Sequence, residues 1–378
     1  MRRERWHWLA LSVVAALACS CALPRGGASA ESAADGAVLA RGPMRIGTTF
    51  SRTQCGYLGL DWRETYRAIL SLDLDVVRLG AEWDEIEAQP GRYDFEKLDW
   101  QIAQARRRGV PVLLAVGMKT PRWPEYHLPL WLLKQVRLRH GRPVGRQAPV
   151  REGVLRFIRE VVERYRDEPA VRWWQVENEP YDRAGPGQWW IEPELVEKEV
   201  ALVRELDPQH RLTVLNFATY PHGLLRRLVW FFTRHDPVGE GLASADILAL
   251  NVYPVVGHRW GRLTRSYYWT SPDERAAHLV PIVRRIQEAK RPVWVTELQA
   301  EPWEPGWLAY TGAAHPPTSH PEMLQPYVEE MRELGIEVIL LWGAEYWYFR
   351  KTRLNDSTWW DAVRALLEET PADAGGAT

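Results

Sequence analysis

Val171 to Pro180 reads VRWWQVENEP. Val171, Trp173, Trp174 and Val176 supply the β-branched and aromatic bulk of a buried strand. Asp167, Glu168 and Pro169 punctuate the chain just before it. Three polar side chains, Glu177, Asn178 and Glu179, then stand in a row before Pro180. Proline disfavours the α region for its predecessor, so the backbone at Glu179 is expected to stay extended. Carboxylates at the end of an apolar strand are costly to place without a partner or a task. Taken alone, the NEP tripeptide reads equally well as a strand running out into a polar loop.

Working outward, short apolar runs of the same kind fall at 45–49, 76–79, 111–116, 212–216, 247–252, 293–296 and 338–341. Amphipathic stretches with apolar spacing of three to four lie between them, at 62–72, 97–108, 151–166, 194–206, 224–234, 273–289, 321–334 and 358–368. Asp61 precedes the first of these and Ser271-Pro272 the sixth, as helix starts require. Gly109 and Gly335 mark helix ends just ahead of strands. Strands that each lead into a helix predict a (β/α)8 barrel; a doubly wound open sheet is the competing arrangement. Length favours the barrel, and so do polar residues gathered after the C-terminal ends of several strands, where barrel active sites sit.

The chain begins with Arg2, Arg3 and Arg5, an apolar run from Leu9 to Leu23, and small residues at Ala28, Ser29 and Ala30. That is the pattern of an export signal over 1–30, with 31–44 as a flexible linker, 45–369 as the barrel and 370–378 as a disordered tail. The mature chain is therefore expected outside the cytoplasm, secreted, periplasmic or at the cell surface, without a stable membrane span. A lipid anchor at Cys19 or Cys21 is the alternative, although alanine stands three residues before each. After cleavage Cys55 is left alone, so no internal disulfide can form. A net charge of -1 argues against a nucleic-acid partner. Oligomeric state leaves no trace in the sequence.

Strand seven reads VWVTEL and places Glu297 at its end, as strand four places Glu179. At the mouth of a barrel these ends can face one another, and two carboxyl groups ~5–5.5 Å apart form the retaining-glycosidase pair. One must be ionised and the other protonated, which burial and mutual repulsion can arrange.

On these residues the sequence resembles glycoside hydrolase clan A, the retaining glycosidases built on this barrel, and within it the cellulase-like branch of family 5. The resemblance runs from about residue 45 to 368. It implies that Glu179 is the acid/base and Glu297 the nucleophile. It further implies that Arg78, ending strand two, and Tyr253, ending strand six, hydrogen-bond the nucleophile. By the same analogy Asn178 binds the sugar 2-hydroxyl, and Trp342 floors the reacting sugar with a cis peptide bond to Gly343. The chain departs from family 5 at Asn251 and at Gly117-Met118-Lys119, where that family has histidines. No metal or organic cofactor is implied.

Aromatic residues crowd the loops after strands, and their faces suit the C–H faces of sugar rings. Trp83, Trp123 and Trp303, with Lys119, Asn251 and Glu345, are the candidates for substrate contact. The partner is thus a carbohydrate, and the expected activity is double-displacement hydrolysis of O-glycosidic bonds in an oligo- or polysaccharide. A transglycosidase would use the same carboxylates. A catalytically silent glycan-binding barrel is the rival, and two opposed glutamates argue against it.

Overall fold

A computed structural model describes residues 44–207, 209, 211–219, 236–260, 264–304 and 316–369, with side chains omitted at 258–260 and 264–269. The segments expected as export signal and tail, most of the expected linker and the helix expected at 224–234 lie outside these residues. No described helix is long and apolar enough to cross a membrane.

The structure is a closed barrel of parallel strands. In chain order they are β1 (Arg45–Thr49), β2 (Val77–Gly80), β3 (Val112–Val116), β4 (Val171–Val176), β5 (Thr213–Thr219), β6 (Ile247–Val252), β7 (Val293–Gln299) and β8 (Val338–Trp342). Each pairs with its neighbours in sequence, and β8 closes onto β1. The sequence-based expectation of a (β/α)8 barrel holds.

Alternation along the strands builds two cores. Outward side chains such as Val77, Leu79, Trp174 and Val176 pack under the helices. Inward ones, including Val76, Leu113, Val214, Trp294 and Leu340, fill the barrel, where Trp173 meets Trp294 edge-on at 5.2 Å. The interior is thus plugged below, and the polar residues are left at the upper rim.

Local signals fix the helices. Asp61 caps Trp62–Ile69 by accepting from the Glu64 amide at 2.7 Å. Ser271 and Glu274 form a reciprocal capping box at the start of Pro272–Glu288. Gly109 ends Glu96–Arg108 in the left-handed region, with φ of 70°. Short helices at Pro237–Ser244 and Ala344–Arg353 were not expected from periodicity, nor was the hairpin of Val255–Trp260 with Thr264–Trp269 after β6.

One irregularity bears on the site. Between Val295 and Glu297, β7 carries one residue more than β6, since Leu250 pairs with Val295 while the next residue, Asn251, pairs with Glu297. The pairing with β8 slips over the same stretch. Such a bulge re-aims side chains. Here the Thr296 hydroxyl reaches Asn251 and the Glu297 carboxylate reaches Arg78, so successive residues both serve the mouth.

Candidate active site

Glu297 leaves the end of β7 and is held by residues from two other strands. Arg78 on β2 donates from Nη2 to Glu297 Oε1 at 2.7 Å, and the Tyr253 hydroxyl donates to Oε2. Arg78 is fully buried and fixed along its length. Its Nε donates to the Thr49 hydroxyl at 2.8 Å and its Nη1 to Gln175 Oε1 at 3.2 Å. A guanidinium tied at three points cannot swing away from the carboxylate, so the ion pair has a single geometry.

Glu179 follows β4. Its backbone is not extended: φ is +44°, in the left-handed region, and Glu177 has φ of +58°. Proline after Glu179 closes off the right-handed α region, but the local hydrogen bonds choose left-handed over extended. The Glu179 amide donates to Asn216 Oδ1 at 2.8 Å, and its carbonyl accepts from Lys119 Nζ at 2.7 Å. Non-glycine residues in this region are strained, and the surrounding contacts must hold them there.

The Glu179 carboxyl accepts from Asn251 Nδ2 at 2.7 Å. Burial first, and the charge of Glu297 second, push its pKa up to about 8. The arrangement therefore holds one carboxyl group protonated near neutral pH beside a second that is ion-paired to arginine. Such a pair can supply a proton donor and a nucleophile from the same residue type.

Asn178 directly precedes Glu179, and its Oδ1 lies 3.5 Å from Arg78 Nη1. Its Oδ1 accepts from Asn216 Nδ2 at 2.8 Å, which fixes the amide so that Nδ2 is the end left without a protein partner among the described residues.

Several expected substrate contacts are corrected. Trp83 is wholly buried: it stacks on Phe157 at 5.5 Å, meets Trp131 edge-on, and donates from Nε1 to Glu87 at 2.6 Å. Gly153 makes room for it, since a Cβ there would come within 2.8 Å of the indole. Lys119 is buried too, its ammonium spent on the Glu179 and Asp182 carbonyls at 2.7 and 3.4 Å. Asn251 is committed to Glu179. Glu345 is buried and accepts from Arg122 Nη2 at 2.9 Å, which ties the segment after β8 to the loop after β3. Trp123 and Trp303 do stand open, 54% and 45% exposed, and Trp303 meets Tyr253 edge-on at 4.7 Å.

Trp342 ends β8 as expected, but its bond to Gly343 is trans; the cis bond in the described residues is Trp123–Pro124. The expected cis bond is corrected. Gly343 supplies the turn instead, with φ of +149°. The Trp342 ring carries the Arg122 guanidinium 4.0 Å from its centroid, and Arg122 is held by Glu301 and Glu345. One approach to the indole is thus taken by a cation. Sequence reasoning missed Arg122, Asn216, Gln175 and Thr296. Asn216 and Thr296 sit on strands at inward positions, so alternation could have found them; nothing local marks Arg122. Among the described residues no cluster of His, Cys, Asp or Glu is arranged to hold a metal ion.

A family model described as beta-galactosidase (Glyco_hydro_42) matches residues 59–185, a stretch that contains Glu179 and stops short of Glu297. Beta-galactosidase BbgII of Bifidobacterium bifidum is 32% identical over 129 residues, 31% of this chain and 18% of that protein. The chain therefore matches only a minor part of that relative's length. Among solved structures, the cold-adapted beta-galactosidase of Rahnella sp. R3 aligns with a TM-score of 0.60 at 13% identity, over 87% of this chain and 56% of that one. GH5_18 of Streptomyces cattleya, in complex with GlcNAc, aligns with a TM-score of 0.56 at 16% identity, over 88% and 82%. At these identities the structures bear on the fold alone. The likeness spans glycoside hydrolase clan A and does not single out family 5.

Proposed function

We propose that this chain is a retaining O-glycoside hydrolase acting on β-linked sugars. The observation that carries this reading is the pair of unlike carboxyl groups at the mouth: Glu297 ion-paired to Arg78, and Glu179 half-buried near it with a raised pKa. In the first step Glu297 attacks the anomeric carbon and displaces the leaving oxygen, which takes the proton from Glu179. In the second, Glu179 takes a proton from water as that water attacks the same carbon and frees Glu297. Arg78 and Tyr253 orient the nucleophile, Asn251 orients the acid, and Asn178 offers its amide to the sugar 2-hydroxyl. Trp123 and Trp303 offer apolar faces to further sugar units. Residues 1–30 are read as an export signal, which N-terminal sequencing of protein recovered from the medium or periplasm would check.

The relatives direct the choice of substrates: β-galactosides, after the beta-galactosidases, and β-mannosides, after the GH5_18 enzyme from Streptomyces cattleya solved with Manb1-4GlcNAc. The test is turnover of aryl β-glycosides of both sugars, with the anomer of the first product followed by proton NMR. Retention is expected. Inversion would remove the nucleophile role of Glu297, and no turnover of any aryl glycoside would leave a binding barrel.

A further inference from the structure

The helix Pro193–Leu206 buries a stripe of Leu195, Val196, Val200, Val203 and Leu206 against the barrel. Glu199 sits in the middle of that stripe and is completely buried. Neither of its carboxyl oxygens receives an N–H or O–H from any described donor. An isolated ionised carboxylate in such a place is prohibitively costly. After burial itself, the strongest influence on it is another carboxyl group, that of Glu177, whose charge and hydrogen-bonding reach both favour the protonated form of Glu199. Two carboxyl groups can bond only if one of them carries a proton.

The partner is already defined as the acceptor. Glu177 is equally buried, and its two oxygens take the backbone N–H groups of Met118 at 2.9 Å and Lys119 at 2.6 Å. Gly117 lets the loop approach this closely: a Cβ there would fall 2.3 Å from Glu177 Oε1. Two amide donors favour the charged form of Glu177, so the proton belongs on Glu199. The other titratable groups that bear on the pair are Glu192, Lys119, Tyr126 and Tyr181. None of them donates to Glu199, and the Lys119 ammonium is engaged at the Glu179 carbonyl.

We propose that Glu199 is a positioning residue: it donates its proton to Glu177, and through Glu177 it fixes the 117–119 loop from which Lys119 holds the backbone of Glu179. The chain of contacts runs from the outer helix to the acid/base. Glu199 bonds Glu177, Glu177 bonds the Lys119 amide, and the Lys119 ammonium bonds the Glu179 carbonyl at 2.7 Å. Glu179 sits in a strained left-handed conformation, so the direction of its carboxyl depends on that outside support. The inference rests on reading Glu179 as the acid/base.

Glu199→Gln puts an amide N–H where the acid proton was. Glu199→Met keeps the length and removes the donor, which leaves the buried Glu177 charge with its two backbone amides alone. Both are assayed on a phenyl and a dinitrophenyl glycoside of one sugar. Glu199→Gln is expected to retain kcat within about threefold on both. Glu199→Met is expected to lose ~10²-fold on the phenyl glycoside and less than about threefold on the dinitrophenyl one, because only the former needs a well-placed acid. Equal rates for Gln and Met variants, or equal losses on both substrates, would overturn the positioning role. A second measurement stands apart from turnover. In a Glu179→Gln background, infrared spectra of 13C-glutamate-labelled protein at neutral pH should show a protonated carboxylic acid that Glu199→Gln removes. Its absence before that substitution sinks the shared proton. Failure of the wild type to turn over either glycoside would instead count against the acid/base reading.

Discussion

Asn251 Nδ2 donates to Glu179 Oε1 at 2.7 Å. The same residue stands opposite Glu297 in the β6–β7 ladder. Its Oδ1 accepts from the Thr296 hydroxyl at 2.8 Å, so the amide cannot flip without losing both bonds. One side chain therefore sets the direction of the Glu179 carboxyl group from a strand that is paired with the strand of Glu297. Asn251→Ala should lower kcat by ~10-fold to 10²-fold on alkyl or phenyl glycosides. Activated dinitrophenyl glycosides should be nearly unaffected. A steady-state comparison of the two substrates checks this, and equal losses on both would assign Asn251 to substrate binding after all.

The two carboxyl groups should fail differently. Glu297→Gln is expected to abolish turnover of every substrate, since no covalent intermediate can form. Glu179→Ala should spare substrates whose leaving groups need no protonation. With such a substrate, added azide should accelerate Glu179→Ala and give a glycosyl azide of retained configuration. Rates with and without azide, and the anomer of the product, decide the matter.

The pH profile follows from the raised pKa of Glu179, about 8. The first chemical step needs this group protonated, so kcat/KM should fall as pH rises through that region rather than through the ordinary carboxylate range. Burial is the larger cause and the Glu297 charge the second. Neutralising Glu297 as Gln should therefore lower the Glu179 pKa while leaving it above the usual carboxylate value. Titration of 13C-labelled glutamate by NMR in the Glu297→Gln variant would show it. An upward shift would contradict the sign.

Trp83 and Trp123 separate packing from binding. Trp83 is stacked in the core against Phe157, so Trp83→Ala should cost ~3–5 kcal/mol of stability. Trp123 is 54% exposed at the mouth. Trp123→Ala should leave the melting temperature almost unchanged and raise KM for oligosaccharides several-fold. Thermal denaturation and oligosaccharide kinetics on the two variants form the check. A large loss of stability in Trp123→Ala would make it another packing residue.

The order of strands and helices was legible because period and punctuation are local properties. Asp61, Ser271 and Gly109 each do in the structure what their types predict. The ends of β4 and β7 were legible too, since carboxylates are conspicuous after VRWWQV and VWVT. Arg78 and Tyr253 were expected beside Glu297 and lie there. Trp83 was misplaced because a tryptophan in a loop after a strand can face either the mouth or the helix layer. Only the small Gly153 on Ala148–Tyr165 makes the second option available.

Sequence by itself determined which residues form strands, and hence the barrel, because alternation and helix caps act over a few residues. It also determined which carboxyl groups stand at strand ends. The tertiary structure decided what those groups meet. The left-handed turn at Glu179 is held by Asn216 from within β5 and by Lys119 from the loop after β3. The indole of Trp342 is covered by an arginine 220 positions earlier in the chain, seated by Glu301 and Glu345. The bulge in β7 shows only in its register with β6 and β8. Each of these depends on atoms far apart in the chain that closure of the barrel brings within hydrogen-bond reach, and no local pattern encodes such a meeting.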